Sequence, residues 1–236
     1  VMGDEACVGL GSLGGVPQAP LNRFAKYSAS NNLWYDATDL GVDYKDGIEG
    51  AVGYSIGGFG YITSGRNSSD QPDFKVMQYD PVNDVWNRKA DFQGPPRIEA
   101  TGFTIGNKAY LTTGRNYPYA GPLYNDLWEY DATQNVGNQR ASIPGSARWQ
   151  SSAFSINNMG YLIGGASAYD VYYNLLNDLW TYNPNSDSWT RLEDFPGEPR
   201  AGATVFVIGD KAYFGTGLGN PSGLLKDFWE FDPSKL

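Results

Sequence analysis

The sequence has no histidine and a single cysteine, Cys7. The first absence removes the commonest general base and the commonest metal ligand together. The second excludes an internal disulfide and any metal cluster built on several thiolates. No run of eighteen apolar residues occurs, so no membrane-spanning helix is expected. The chain opens at VMGDEACVGLG without a basic start, and any targeting segment is expected outside these residues. Basic residues are also scarce, with 17 Lys plus Arg against 26 Asp plus Glu and a formal charge of −9. That field repels a phosphate backbone, so nucleic acid is not an expected partner.

What is abundant points one way. The chain holds 30 Gly and 14 Pro, which cut it into short elements, and 17 Tyr, 11 Phe and 7 Trp, which favour pleated, half-buried strands. It also repeats itself. GNKAYLTTG at 106–114 returns as GDKAYFGTG at 209–217, with weaker copies at 3–11, 57–65 and 157–165. A second string follows each time: NDLWEYDAT from Asn125, NDLWTYNPN from Asn177, KDFWEFDPS from Lys226 and, more loosely, KVMQYDPVN from Lys75. Tyr27, Tyr79, Tyr130, Tyr182 and Phe231 mark the phase, at intervals of 52, 51, 52 and 49 residues. A period near fifty is the length of one propeller blade.

Each period reads as four strands. The innermost is Glu99–Ile105 in one repeat and Ala201–Ile208 in another. A two-residue turn such as Gly106-Asn107 or Gly209-Asp210 leads to the second, since Gly, Asn and Asp tolerate positive φ. The Leu-Trp-Glu-Tyr string forms the third. The fourth follows a tight turn such as Asp80-Pro81-Val82-Asn83 and carries Trp86 or Trp189. One four-stranded sheet cannot bury both faces, so sheets must stack. Trp86, Trp128, Trp180, Trp189 and Trp229 are expected between them.

Small residues ending in Gly after the second strand, then a Tyr-Asp-Pro-like turn, then Trp, resemble the kelch signature. GDKAYFGTG followed by LKDFWEFDP is similar to kelch proteins exported by Bacteroidota, often called galactose-oxidase-like. The resemblance covers essentially the whole chain. It implies an all-β, kelch-type β-propeller of four-stranded blades, a single domain over residues 1–236 with five blade positions visible. Whole blades are expected at about 48–89, 99–140 and 149–191, with partial ones at 1–36 and 201–236. The partial blades lack different strands and do not complement each other, so the expectation is either a trimmed chain or sequence missing from a longer protein of six or seven blades.

The loops after the second strand share one rim with the segments entering the first, and variable loops are where function usually sits. They carry Tyr117, Tyr119, Tyr124, Tyr169, Tyr172 and Tyr173, whose flat faces and polar tips suit protein epitopes and sugar rings alike. Arg66 and Arg115 follow the second strand in two repeats only and are ligand candidates. Arg97, Arg148 and Arg200 occupy one equivalent position, where the first complete repeat has Ile48. Three such arginines can hold a carboxylate or sulfate, but pairing with a neighbouring blade is the weightier reading. Two places further on lie Gly50, Glu99, Gln150 and Gly202, with Trp149 beside Arg148.

The oxidase suggested by the galactose-oxidase-like label needs two histidines and a tyrosine crosslinked to cysteine around copper, so that chemistry is excluded here. No metal and no other cofactor is expected. The leading expectation is a non-catalytic recognition or scaffold module, extracellular or at the cell surface, binding a protein or a glycan through the loop-rich rim. Two alternatives stand beside it. One is a purely structural subunit of a bacterial surface complex. The other rests on a resemblance to bacterial sialic-acid mutarotases, and would use Glu99 as acid–base with Arg97, Arg148 and Arg200 holding an anionic sugar.

Overall fold

A computed structural model describes residues 2–13, 19–41, 44–45, 47–116, 121–169 and 174–236. Five antiparallel sheets follow one another along the chain, and each is a meander. The second joins Val52–Ile56, Phe59–Thr63, Val76–Asp80 and Val85–Arg88. The third joins Thr101–Ile105, Lys108–Thr112, Leu127–Asp131 and Val136–Arg140. The fourth joins Ser152–Ile156, Met159–Ile163, Leu179–Asn183 and Ser188–Arg191. The first and fifth have three strands each, Glu5–Gly9, Phe24–Ser28 and Leu33–Ala37, and Thr204–Ile208, Lys211–Gly215 and Phe228–Phe231. The innermost strands of sheets two to five lie side by side in order, which sets them around a common axis. This is the propeller that the fifty-residue period implies.

The seams between sheets explain the repeated strings. In the fourth sheet the Tyr182 hydroxyl donates to Asp187 at 2.7 Å, and Asp187 also accepts the backbone N–H of Ala141, at the end of the third sheet, at 2.9 Å. The Trp189 indole returns a hydrogen bond to the Ala141 carbonyl at 2.9 Å. One seam earlier, Tyr130 donates to Asn135, which accepts the Ala90 N–H at 2.9 Å. One earlier again, Tyr79 donates to Asp84, which accepts from Thr38, while Trp86 donates to the Thr38 carbonyl at 2.8 Å. Asn32, Asp84, Asn135 and Asp187 all sit at positive φ, between 47° and 57°. Asn and Asp are the side chains that best tolerate that geometry. A tyrosine and a turn residue five positions later therefore tie the second, third and fourth sheets each to the one before it.

Aromatic stacking fills the same seams. Tyr110 and Tyr182 lie 5.6 Å apart across the third seam, and Tyr161 and Phe231 lie 5.1 Å apart across the fourth. Trp180 and Trp189 are buried, and Trp86 and Trp128 are half-buried. Trp229 departs from the expectation. It touches Phe195 at 5.3 Å, but 39% of it stays exposed because the fifth sheet has no fourth strand beside it.

Two further expectations are corrected. The innermost strands begin at Thr101 and Thr204 rather than at Glu99 and Ala201, because Glu99 and Gly202 take φ of 54° and 64° and interrupt the extended backbone. The variable rim is also less irregular than loops suggest. Short ladders extend it, joining Ile48–Glu49 to Arg66–Asn67, and Arg200–Ala201 to Leu218–Gly219 and Gly223–Leu224. Single bridges do the same at Ile98–Arg115–Leu123 and Trp149–Ala166–Leu175.

Asp187→Ala removes the acceptor of two hydrogen bonds at the third seam. A loss of about 1–3 kcal/mol is expected from the unsatisfied donors, which lowers the thermal midpoint by roughly 2–4 °C per kcal/mol for a domain of this size. Calorimetry of the variant beside the parent checks this, and an unchanged midpoint would remove the seam role.

Candidate functional site

The three equivalent arginines are the largest fully buried side chains among the described residues. Each guanidinium is fixed in the same way. Arg148 donates from Nε to the Ser146 carbonyl at 3.0 Å and from Nη1 to the Gly164 carbonyl at 3.1 Å. Its two Nη atoms then grip both oxygens of Asp178, with Nη2 at 2.7 Å. Arg97 does the same with Pro95, Thr113 and Asp126, and Arg200 with Glu198, Thr216 and Asp227. The Asp belongs to the recurring Asp-x-Trp string. Its Oδ2 also accepts the indole N–H of Trp128, Trp180 or Trp229, at 2.8, 2.6 and 2.7 Å.

Arg97, Arg148 and Arg200 therefore do not converge on the axis. Their partners lie in the same repeat and not in a neighbouring blade, so both the anion-binding reading and the cross-blade reading are corrected. Where Ile48 replaces the arginine, Lys75 and Met77 stand at the Asp and Trp positions, and Ile48 and Met77 join the apolar core between the first two sheets. The clamp is exchanged as a unit, as it must be if a lone buried charge is costly.

The arginine's backbone crosses the seam that its side chain does not. Gly65, Gly114 and Gly165 donate their N–H to the carbonyls of Arg97, Arg148 and Arg200 in the following repeat, at 2.9, 2.9 and 2.8 Å. These glycines have φ of 91° to 100°. A Cβ on Gly114 would lie 2.8 Å from the Ile98 carbonyl oxygen, so no side chain fits.

The next residues along form the mouth. Gly50, Glu99, Gln150 and Gly202 all take φ between 52° and 67°. Gln150 donates its N–H to the Glu99 carbonyl at 3.1 Å, and Gly202 to the Gln150 carbonyl at 2.9 Å, so a chain of backbone bonds runs around the axis. Two of the four positions are not glycine. Left-handed backbone at such residues costs roughly 1–2 kcal/mol, and strain of this kind gathers at functional sites.

A cavity of about 320 Å³ opens here, lined by Gly11, Glu49, Gly50, Arg66, Ile98, Glu99 and Arg115. Arg115 is ion-paired with Glu99, and Arg66 with Glu49 and with Asp70 at 2.9 Å. Gln150 Nε2 donates to Glu99 at 3.2 Å, and the Arg115 guanidinium lies 3.8 Å from the centre of the Trp149 ring. Trp149 is itself buried, its indole bonded to the Ala168 carbonyl at 2.7 Å. It supports the mouth from beneath and is not a ligand platform.

Of the sequence candidates, Arg66, Arg115 and Glu99 come together at this cavity. Tyr124 instead lies under Arg97, at 4.2 Å from the guanidinium carbon. Tyr169 is 42% exposed on the rim. Tyr117, Tyr119, Tyr172 and Tyr173 lie outside the described residues. Glu49 was not singled out from sequence, because it occupies the Ile98 position rather than the Glu99 position, and only the ladder pairing Glu49 with Arg66 brings it to the site. Asp126, Asp178 and Asp227 were legible as part of a repeated string but not as the arginines' partners. Among the described residues no group of three or more His, Cys, Asp or Glu is placed to hold a metal ion.

The KLHDC2/KLHL20/DRC7 Kelch-repeats domain matches residues 50–236. The chain belongs to the kelch-repeat family. A curated relative of this kelch protein, N-acetylneuraminate epimerase of Pasteurella multocida (strain Pm70), is 36% identical over 91 residues, which is 37% of this chain and 24% of that protein. The match thus spans about a quarter of the curated relative's length. The solved structure of YjhT aligns with 96% of the kelch chain and 78% of its own, with a TM-score of 0.80 and 16% identity, and so shares its fold. Among the described residues no helix is long and apolar enough to cross a membrane.

The clamps make the kelch protein sensitive to acid. Burial pushes the Asp178 carboxyl up, but the Arg148 fork, its charge and the Trp180 indole outweigh burial and hold the pKa below its ordinary 3.8. The Arg200 fork holds Asp227 far below that value, against the opposing effect of burial. The unfolded chain therefore takes up protons at these sites before the folded protein does. Stability is full above the ordinary carboxylate value and falls as pH drops through it toward the lower folded values. Arg148→Met should cost up to about 3 kcal/mol near neutral pH, because it leaves a half-buried carboxylate without its cation. It should also flatten the acid limb, and urea titrations from pH 7 down to 3 read both effects. A variant as stable as the parent at pH 7 would contradict the clamp.

Proposed function

We propose that this protein is a carbohydrate-recognition propeller that takes a small hydroxylated sugar in the axial mouth on its loop-bearing rim. The observation that carries this reading is the cavity of about 320 Å³ lined by two guanidinium–carboxylate pairs, Arg66 with Glu49 and Arg115 with Glu99. Its size lies at the lower end of small-molecule sites. Its walls alternate strong donors with strong acceptors, which is what a ring of hydroxyls requires. Backbone bonds around the axis and the Trp149 ring beneath Arg115 hold these groups in place before any ligand arrives, and preorganisation of this kind reduces the ordering cost of binding.

Binding to an immobilised glycan array, followed by titration calorimetry of the hits, tests the reading. Arg115→Ala should weaken the best hit by about 10- to 150-fold, the equivalent of one hydrogen bond to a charged group at about 1.5–3 kcal/mol. Affinity unchanged in both Arg66→Ala and Arg115→Ala would place the ligand elsewhere.

The relative named N-acetylneuraminate epimerase favours a second reading, in which the same mouth exchanges sugar anomers. Glu99 would then move the ring proton while the hydroxyls are held. NMR of freshly dissolved N-acetylneuraminate should show accelerated anomer exchange that Glu99→Ala abolishes. No acceleration by the parent protein would retire this reading and leave recognition standing.

A further inference from the structure

The charges lining the mouth cancel. Two guanidiniums, Arg66 and Arg115, face two lining carboxylates, Glu49 and Glu99, and Asp70 adds a third negative charge beside Arg66. Arg97, Arg148 and Arg200 are each matched by an aspartate behind the mouth and lend it no unbalanced charge. The chain as a whole carries −9. An anion entering this cavity meets no net positive potential to attract it, and at either guanidinium it lies beside a carboxylate that repels it.

A pair of adjacent hydroxyls faces neither obstacle. One hydroxyl can donate to a carboxylate oxygen while its neighbour accepts from the guanidinium beside it. Glu99 and Arg115 offer that combination at one fixed place. Glu99 is oriented by its left-handed backbone and by Gln150 Nε2, and Arg115 by the Trp149 ring at 3.8 Å. Arg66 is supported differently, since Ile98 stands at the Trp149 position and an exposed Asp70 takes the other end of the guanidinium. The two arginines are therefore not equivalent: Glu99 and Arg115 are set by an amide and an aromatic ring, Arg66 by a second carboxylate.

We propose that the mouth selects uncharged sugars by reading two adjacent hydroxyls with Glu99 and Arg115, and that it discriminates against carboxylated sugars. Trp149 and Gln150 are the positioning residues of this pair. The inference rests on the carbohydrate reading above and narrows it to a chemical class, which differs from the anionic sugar in the relative's name.

Matched sugars that differ at one carbon make the test. Calorimetry would compare D-glucose with D-glucuronate and D-galactose with D-galacturonate, together with the 2-deoxy form of the neutral sugar that binds. The neutral member should bind at least about tenfold more tightly than its uronate, and the 2-deoxy form should lose about tenfold. Glu99→Gln leaves Arg115 uncompensated and should narrow or reverse the preference, with the circular dichroism spectrum and thermal midpoint showing that the variant is folded. Trp149→Leu should weaken neutral-sugar binding and Trp149→Phe should restore most of it, because a phenyl ring keeps the face beneath Arg115. A uronate that binds as well as its neutral partner overturns the selectivity while leaving sugar recognition intact. Undiminished binding of the 2-deoxy form overturns the two-hydroxyl contact. Failure of every neutral and acidic sugar to bind overturns the carbohydrate reading itself.

Discussion

At three of the four seams the constraint on which the propeller depends is an inter-sheet hydrogen bond from a glycine N–H to the carbonyl of a clamped arginine; at the first seam Gly11 makes the same bond, at 3.3 Å, to the carbonyl of the unclamped Ile48. The guanidinium of Arg97, Arg148 or Arg200 is locked by two carbonyls, an Asp and, through that Asp, a Trp, so its own backbone cannot shift without breaking the ion pair of a buried guanidinium. The carbonyl it presents to the preceding sheet accepts the N–H of a glycine at positive φ, where a Cβ would collide with the glycine's own repeat. Side-chain electrostatics inside one sheet thus sets the backbone geometry between two.

The mouth inherits that geometry. Glu99 lies two residues beyond Arg97, and Gln150 two beyond Arg148, so the left-handed positions at the axis are held a short distance from the clamps. The chain of backbone bonds from Glu99 to Gln150 to Gly202 is a second rail beside the first. A site built this way is rigid although it stands on a rim of variable loops. Its polarity is uneven as well. Arg66 and Arg115 occupy the position that Ala166 and Leu218 take in the next two repeats, which leaves one side of the axis polar and the other apolar.

Much of this was legible in the sequence, and the unread part has a physical reason. The period showed in Tyr79, Tyr130 and Tyr182 because the first three seams each use a tyrosine hydroxyl in register with a turn residue five places on. The column of Arg97, Arg148 and Arg200 was equally visible, yet its role was not, since a guanidinium has the same identity whether it meets an aspartate or a ligand. The deciding fact is Asp126, Asp178 or Asp227, which lies 27 to 30 residues away and is brought close only by the return of the third strand. Glu49 escaped notice for a related reason. It pairs with Arg66 from a position one residue out of phase with Glu99, so alignment of the repeats separates two carboxylates that the fold puts in one cavity.

Protection of individual amides against hydrogen exchange tests the central constraint most directly. The N–H groups of Gly65, Gly114 and Gly165 should be among the slowest in the protein and should exchange only with global unfolding, and the Gln150 amide should follow them. Exchange of these four amides at the rate of the exposed turns, while the strands remain protected, would show that the seams are not fixed by the clamped arginines and would contradict the account.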